Sequence, residues 1–203
     1  MQKHAPEHAE EPQLAPPGGG IPLLERLVAK YYFVNFKFPR MEWARATRYF
    51  ESETAKITAL AATLTPEKAA TKILVPKMRG LEDSSRYWSP AMLLEHLMIV
   101  APGMADVTIL LTQGRAPGRD VDIAKLKPSG KVFDGMDGAK MSAIFSQKMK
   151  DTLARIEKEA RDRASTFKQV HPWFGPITAH QWNWLMATHQ SIHRRQLEKM
   201  LSE

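Results

Sequence analysis

Cysteine is absent from this chain of 203 residues. Its absence excludes disulfide bonds, a thiol nucleophile and thiolate metal ligands, so any thiol chemistry would need an external thiol. No apolar run reaches the ~18 residues that a membrane-spanning helix needs. The first residues also lack the apolar stretch of a signal peptide. We therefore expect a cytoplasmic protein with no membrane span.

Long runs of like charge are also missing. The formal net charge is +7 and the pI is about 9.6, but the basic residues are spread among 22 acidic ones. This pattern is more typical of a solvated basic surface than of a nucleic-acid interface. No helix-turn-helix or zinc-finger motif is present, so we expect no nucleic-acid partner.

Proline and glycine divide the chain into segments. Residues 1–20 are rich in Pro, Gly and Glu and are predicted to form a disordered tail. Residues 21–40 are predicted to be an extension that packs on the main domain or, alternatively, contacts a membrane surface or a partner. Residues 41–203 are predicted to form one domain. Its basic connection, residues 113–138, is either a plain crossover or a lid that attracts an anionic ligand.

Four segments have the apolar periodicity of amphipathic helices, at about residues 41–64, 89–112, 139–168 and 178–203. Ser89 and Pro90 suit the N-cap and first position of the second helix. Thr178 and Gln181 form a capping box for the fourth. With little strand signal, these elements predict an all-α protein, a four-helix bundle with a disordered tail and an N-terminal segment. Bundles build metal sites from inward side chains on facing helices.

The strongest functional signal is a pair of histidines in the fourth helix, His189 and His193. Residues four apart lie on one face of a helix, one turn from each other. The neighbours on that face are Trp182, Leu185, Met186, Gln196 and Met200. An imidazole without a partner is costly on such a buried side. The pair is therefore placed to hold one metal ion.

A third histidine, His96, occupies the centre of the apolar face of the second helix. Any one of the three histidines alone is better explained as a core residue with an ordinary hydrogen-bond partner. Together, the three favour a metal. A site with three histidine ligands leaves a coordination position for water or substrate, as in catalytic zinc sites. Imidazole ligands suit Zn, Ni, Fe or Cu, so the sequence leaves the ion's identity open.

Three other polar residues are candidates for supporting roles. Gln196 lies one turn beyond His193 and could contact a metal-bound water or orient an imidazole. Glu53 lies at the edge of the first helix's apolar face, where it either faces the site as a base or marks the boundary with solvent. Glu95 is a weaker candidate for the base, because it lies about 100° round the helix from the adjacent histidine.

Two more histidines flank the start of the fourth helix. His171 precedes Pro172 and is predicted to fix the turn before that helix. His180 lies in the helix's first turn and is predicted to be exposed. Neither is assigned a functional role from the sequence.

Two motifs carry a resemblance to a known family. The run His-Pro-Trp-Phe-Gly-Pro-Ile-Thr-Ala-His-Gln-Trp at 171–182, with the later histidine pair and glutamine, resembles the DinB-like four-helix metalloproteins. The run Trp-Ser-Pro-Ala-Met-Leu-Leu-Glu-His-Leu at 88–97 is similar to that family's second-helix motif. The resemblance covers about 41–203 and is to a branch of unknown function. Some relatives carry Gly before the glutamine, where this chain has Arg195.

The resemblance implies a set of ligands and a class of chemistry. Carried over by position, the family's metal ligands are His96, His189 and His193. The expected function is a divalent-metal-dependent enzyme of the transferase or hydrolase type, which activates water or an external thiol. Its ligand would be a small molecule, either anionic or a low-molecular-weight thiol, and a homodimer is left open. The alternative is a metal-binding helical protein without catalysis, or a binding module.

Overall fold

Six helices and four short strands make up the computed structural model, which describes residues 11–40, 42–117 and 126–203. The helices are α1 (Leu23–Val28), α2 (Trp43–Ala62), α3 (Pro66–Ala70), α4 (Pro90–Thr112), α5 (Gly138–Glu159) and α6 (Ala179–Ser202). The four long ones form the bundle, in which α2 and α4 each pack against both α5 and α6. The predicted helical bundle is confirmed. Residues 1–10 of the predicted tail and 118–125 of the basic connection lie outside the described residues.

The predicted caps are present at the helices that carry the histidines. The Ser89 hydroxyl oxygen accepts a hydrogen bond from the backbone N–H of Met92, and Pro90 is the first residue of α4. At α6, Thr178 and Gln181 form the reciprocal capping box. These caps satisfy backbone donors that a helix leaves free at its start. They fix where each helix begins, and hence which of its residues face inward.

Helix α5 ends at Glu159, short of the predicted end near residue 168. The backbone N–H of Arg161 donates to the Thr112 hydroxyl, and that of Asp162 donates to the Thr112 carbonyl. These two donors are therefore turned toward the end of α4 and do not continue the helix. The tertiary contact outweighs the apolar periodicity that favoured a longer helix.

Two antiparallel hairpins lie beside the bundle, and the sequence did not predict them. The first pairs β1 (Ile73–Leu74) with β2 (Tyr87–Trp88). The second pairs β3 (Lys168–His171) with β4 (Gly175–Thr178) and closes where His171 is opposite Gly175. Gly175 has a φ of +73°, a backbone conformation that favours glycine. The hairpins place Trp88 directly before α4 and His171 close to the start of α6.

One side of the N-terminal extension packs on the bundle. After α1 the chain continues as a π-helix, Ala29–Lys37, and a 3₁₀ turn, Phe38–Arg40. Phe38 is buried in a cluster with Trp184. The Gln181 side chain donates to the carbonyl of Val34 at 2.7 Å. His180, predicted to be exposed, is instead half-buried, with a ring nitrogen 3.1 Å from the Phe38 carbonyl.

Residues 11–20 have defined contacts, although the sequence predicted a disordered tail there. The backbone N–H of Ala15 donates to the Asp83 carboxylate, and that of Gly20 donates to Glu82, each at 2.9 Å. A segment with few apolar side chains gains little from burial, but hydrogen bonds from its backbone to carboxylates are among the stronger ones. The interaction is therefore polar and could not be recognised from hydrophobic periodicity.

The core is filled by large side chains from all four long helices. The most deeply buried include Phe50, Ile57, Leu93, Leu94, Leu97, Leu111, Phe145, Met149 and Leu197. Within the described ranges, α4 alone has the length and apolar composition that could cross a membrane. Over half of its most apolar stretch is buried inside the bundle, as expected of a core helix. The core is extensive without any contribution from an ion.

Candidate metal centre

The three predicted histidines converge on one point between α4 and α6. The Nε2 atom of His189 lies 3.3 Å from Nε2 of His96 and 3.2 Å from Nε2 of His193. All three nitrogens lie within 4.8 Å of one another. Nitrogens about 2.0–2.1 Å from a tetrahedral zinc ion would be roughly 3.3–3.4 Å apart. The three histidines are close enough together to hold a metal ion.

Hydrogen bonds at the opposite ring nitrogens fix two of the three tautomers. Nδ1 of His96 lies 2.9 Å from the carbonyl oxygen of Leu126, which can only accept, so Nδ1 carries the proton. Nδ1 of His193 lies 2.7 Å from Oε1 of Gln196. Because the amide nitrogen of Gln196 donates to the carbonyl of Ser85, its oxygen faces the histidine and accepts. In both neutral rings, Nε2 is left with a bare lone pair.

The lone pairs cannot all be satisfied by the histidines themselves. His96 and His193 each direct Nε2 at the same nitrogen of His189. That nitrogen carries at most one proton, so at most one of the two contacts is a hydrogen bond. In the remaining contact, the lone pairs of two nitrogens point at each other. Two nitrogens normally lie this close only when a hydrogen bond or a shared cation joins them. The three nitrogens therefore suit a cation that is bound by one lone pair from each ring.

Burial keeps the three imidazoles in the neutral form that binds metals. Loss of solvent lowers the pKa of His96 to about 4, partly opposed by its bond to Leu126. Burial, with a smaller contribution from His96, lowers the pKa of His193 to about 3. The pKa of His189 lies well below its usual value for the same reason. A proton therefore does not relieve the crowding of the three nitrogens at neutral pH.

A loop is anchored beside His96 by the residue that precedes it. The buried carboxylate of Glu95 accepts from the backbone and hydroxyl of Ser129 and from the backbone of Gly130, at 2.8–2.9 Å. Leu126, in the same loop, accepts from His96. Glu95 thus holds the loop that orients the His96 ring. Its carboxylate, a weak candidate for the base in the sequence analysis, is engaged in these hydrogen bonds to the loop.

Glu53 does not reach the centre. Its buried carboxylate is paired with Arg194 and, at 2.8 Å, with Lys56. It is not among the described residues that line the cavity next to the histidines. Arg194 follows His193 directly, but its side chain turns to α2. The structure therefore gives Glu53 a place in the packing of α2 on α6, and not the position of a base.

A cavity of about 190 Å³ opens beside the three histidines. Its apolar wall includes Trp88, Val100, Met104, Val107, Trp173 and Trp182. Trp88 stacks on the His193 ring, with 5.9 Å between centroids and an interplanar angle of 9°. The N-terminal segment contributes Pro17, and the solvent-exposed Lys127 supplies a positive charge. The volume equals that of roughly six water molecules, so the cavity suits a small, largely apolar molecule.

A fourth histidine, His171, lines the same cavity and has a different tautomer. Its Nδ1 accepts a hydrogen bond from the backbone N–H of Trp173 at 3.1 Å, which fixes the turn as predicted. The proton of the neutral ring is therefore on Nε2, where the described residues make no hydrogen bond to it. Burial lowers the pKa of His171 to about 4, so the ring is a neutral donor. The sequence did not assign His171 to the site, although it lies in the most distinctive run of the chain.

The comparisons with known proteins bear on the fold. No family model matches the chain, and no curated protein matches it. Among solved structures, the chain is similar to TT2238, described as a four-helix bundle protein. The identity is 19%, the TM-score is 0.52, and the match covers 77% of this chain and 98% of that one. This similarity supports the bundle architecture and shows nothing about activity.

Proposed function

We propose that this chain is a divalent-metal-dependent enzyme of the DinB-like four-helix type, with His96, His189 and His193 as ligands of a Zn, Ni or Fe ion. The observation that carries the proposal is the pair of bare Nε2 lone pairs directed at a single nitrogen of His189. The motifs at 88–97 and 171–182 support the family assignment. A bound ion would supply Lewis-acid activation of water or of an external thiol, lowering its pKa.

The chain's own residues supply orientation and selection. Gln196 and the Leu126 carbonyl hold two of the imidazoles by their Nδ1 protons. This fixes the rings and raises their basicity as ligands. The cavity wall is largely apolar, and Lys127 offers charge to an anionic group. His171 is placed to donate from Nε2 to an oxygen of a bound molecule, which would hold it beside the three ligands.

The cavity supports a catalytic function over simple metal storage. A structural zinc site is closed by four protein ligands, whereas a catalytic one keeps a position for substrate. Here three histidines face an adjoining space large enough for a small molecule. A transferase or hydrolase acting on a small anionic or thiol-dependent substrate fits this arrangement better than a binding module with no reaction.

Metal binding is tested with two histidine variants of the same helix. The full chain, stripped with a chelator and titrated with Zn, Ni and Fe(II), should bind one ion per chain by elemental analysis and calorimetry. His193→Ala should lose nearly all binding while remaining helical by circular dichroism, because the core does not need the ion. The control His180→Ala makes the same change outside the centre and should keep full stoichiometry. Unchanged affinity in His193→Ala would reject the proposed site.

Catalysis is tested by filling the cavity without touching the ligands. Gly103 lines the cavity, and a Cβ added there would meet no atom within 4 Å. Gly103→Leu should therefore keep the metal but reduce turnover of hydrolase or thiol-transferase substrates found by screening the holoprotein. If no metal-dependent turnover appears in any such screen while the ion binds stoichiometrically, the non-catalytic alternative is correct.

A further inference from the structure

The N-terminal extension has its apolar side facing solvent. Its exposed apolar residues lie in two rows, Leu23, Leu27 and Tyr31 along one and Leu24, Val28, Tyr32 and Phe36 along the next. Leu24 is 73% exposed and Tyr32 is 57% exposed. We call these seven residues the apolar face. A surface helix normally shows the opposite arrangement, with its apolar stripe toward the core.

The change of helix type keeps this face continuous. An α-helix has 3.6 residues per turn and a π-helix about 4.4, so a segment with both averages near four. Residues four apart therefore stay aligned from Leu23 in α1 to Phe36 in the π-helix. On the other side, Val34 and Phe38 are buried against the bundle. The segment is thus fixed to the protein by one side and presents an uninterrupted apolar surface on the other.

Positive charges predominate next to the apolar face. Lys30, Lys37 and Arg40 are exposed, and they lie over Tyr31, Phe33 and Phe36 respectively. Glu25 is the one acidic residue of residues 21–40, and its carboxylate accepts a hydrogen bond from the backbone N–H of Gly80 at 2.8 Å. Glu25 keeps its negative charge, but with Arg26 the segment has four cations against this one carboxylate, a net charge of +3.

We infer that the apolar face is a docking surface for an anionic lipid bilayer. A bilayer interface supplies both the apolar depth for leucine and aromatic side chains and the negative headgroups that the three cations need. Tyrosine is suited to the boundary, because its ring is apolar and its hydroxyl stays hydrated. A second copy docked by the same face would add four cations and only one carboxylate, so like charges would face each other. The inference does not depend on the metal centre.

Vesicle sedimentation of the full chain tests this inference, in the presence of a chelator. The protein should pellet with vesicles of equal parts phosphatidylcholine and phosphatidylglycerol, and not with phosphatidylcholine alone. Raising the salt should weaken binding through screening of the cations. Lys30→Gln/Lys37→Gln should weaken it about thirtyfold, since each cation near an anionic surface contributes roughly a fivefold factor. Leu24→Ser/Tyr32→Ser should abolish it.

Matched variants and light scattering distinguish docking on a bilayer from nonspecific adhesion and from dimer formation. Leu74→Ser/Val132→Ser removes apolar side chains that are 44% and 48% exposed elsewhere, and Lys148→Gln/Lys150→Gln removes exposed charge on α5. Neither control should change vesicle binding. Equal pelleting by the Leu24→Ser/Tyr32→Ser variant and the unmodified chain would overturn the inference. So would a lipid-free dimer that this variant converts to a monomer, with no vesicle binding by either.

Discussion

Gln196 bridges His193 to the loop before α4. Its amide oxygen lies 2.7 Å from Nδ1 of His193, and its amide nitrogen donates to the Ser85 carbonyl over the same distance. The bridge determines that Nε2 is the nitrogen of the ring left free for a metal. Partners of this kind typically change metal affinity by about 10–100-fold when removed. We expect Gln196→Ala to bind the ion that much more weakly, measured by competition with a chelating dye.

The neighbouring Gln190 provides the control for this variant. It is also fully buried in α6, but its side chain contacts Met149, in α5. Gln190→Ala should lower the unfolding temperature while leaving metal affinity within about twofold of the unmodified chain. Equal losses of affinity in both variants would mean that general destabilisation, and not ring orientation, causes the loss in Gln196→Ala.

Glu95 should be essential for the position of the loop next to the site. Its carboxylate accepts three hydrogen bonds from Ser129 and Gly130, and hydrogen bonds to charged groups contribute about 1.5–3 kcal/mol each. Glu95→Gln would turn an amide N–H toward donor groups of Ser129 and Gly130, leaving donors without an acceptor. The free energy of unfolding should therefore fall by about 2 kcal/mol or more. Chemical denaturation measures the change. Glu157→Gln, at an exposed ion pair, should change it by less than about 1 kcal/mol.

Acid should destabilise the metal-free protein at a higher pH than ordinary carboxylate titration would. Histidines in the unfolded chain take up protons near pH 6.5, whereas burial lowers the folded pKa of His96 to about 4 and that of His193 to about 3. Between these values the unfolded chain binds more protons, so stability is full above pH 6.5 and falls as the pH drops toward the folded pKa. The slope is up to about 1.4 kcal/mol per pH unit for each histidine.

Thermal unfolding in chelator from pH 7.5 to pH 4.5 measures this dependence. His193→Ala should show a shallower slope, because it removes one titrating group from the unfolded chain without replacing it. A flat profile between pH 7 and pH 5 in the unmodified protein would show that the imidazoles are not held neutral by burial.

Two helical glycines should respond oppositely to alanine. At Gly138 a Cβ would overlap the Ala61 carbonyl oxygen and lie 2.7 Å from the Leu64 backbone, so α5 could not approach the end of α2. Gly138→Ala should cost about 2–3 kcal/mol of unfolding free energy. Gly103→Ala meets nothing within 4 Å in the middle of α4 and should gain about 0.5–1 kcal/mol. Urea denaturation of both variants checks the pair, and destabilisation by Gly103→Ala would contradict it.

The apolar periodicity of the sequence predicted those features of the structure that depend on a single helix. The apolar stripes placed His96 and His189 on inward faces, and the bundle then brought them together. The short range of these signals also accounts for the omissions. The end of α5 depends on Thr112, a residue far away in sequence. The position of His171 at the cavity depends on the hairpin of β3 and β4, whose strands have too few alternating apolar residues to be recognised from the sequence. Contacts between carboxylates and the backbone of residues 11–20 leave no periodic pattern at all.

The separation of the histidines along the chain has a consequence for biosynthesis. His96 and His189 are 93 residues apart, and two of the three histidines belong to α6. While the chain is being synthesised, α4 emerges from the ribosome with only one of the three histidines and an apolar face that α6 will later cover. The centre cannot close before α6 has emerged and folded back onto α4. Loading with the proposed ion would therefore be a late event in the life of each molecule, and the nascent chain has no complete centre with which to take up the wrong metal.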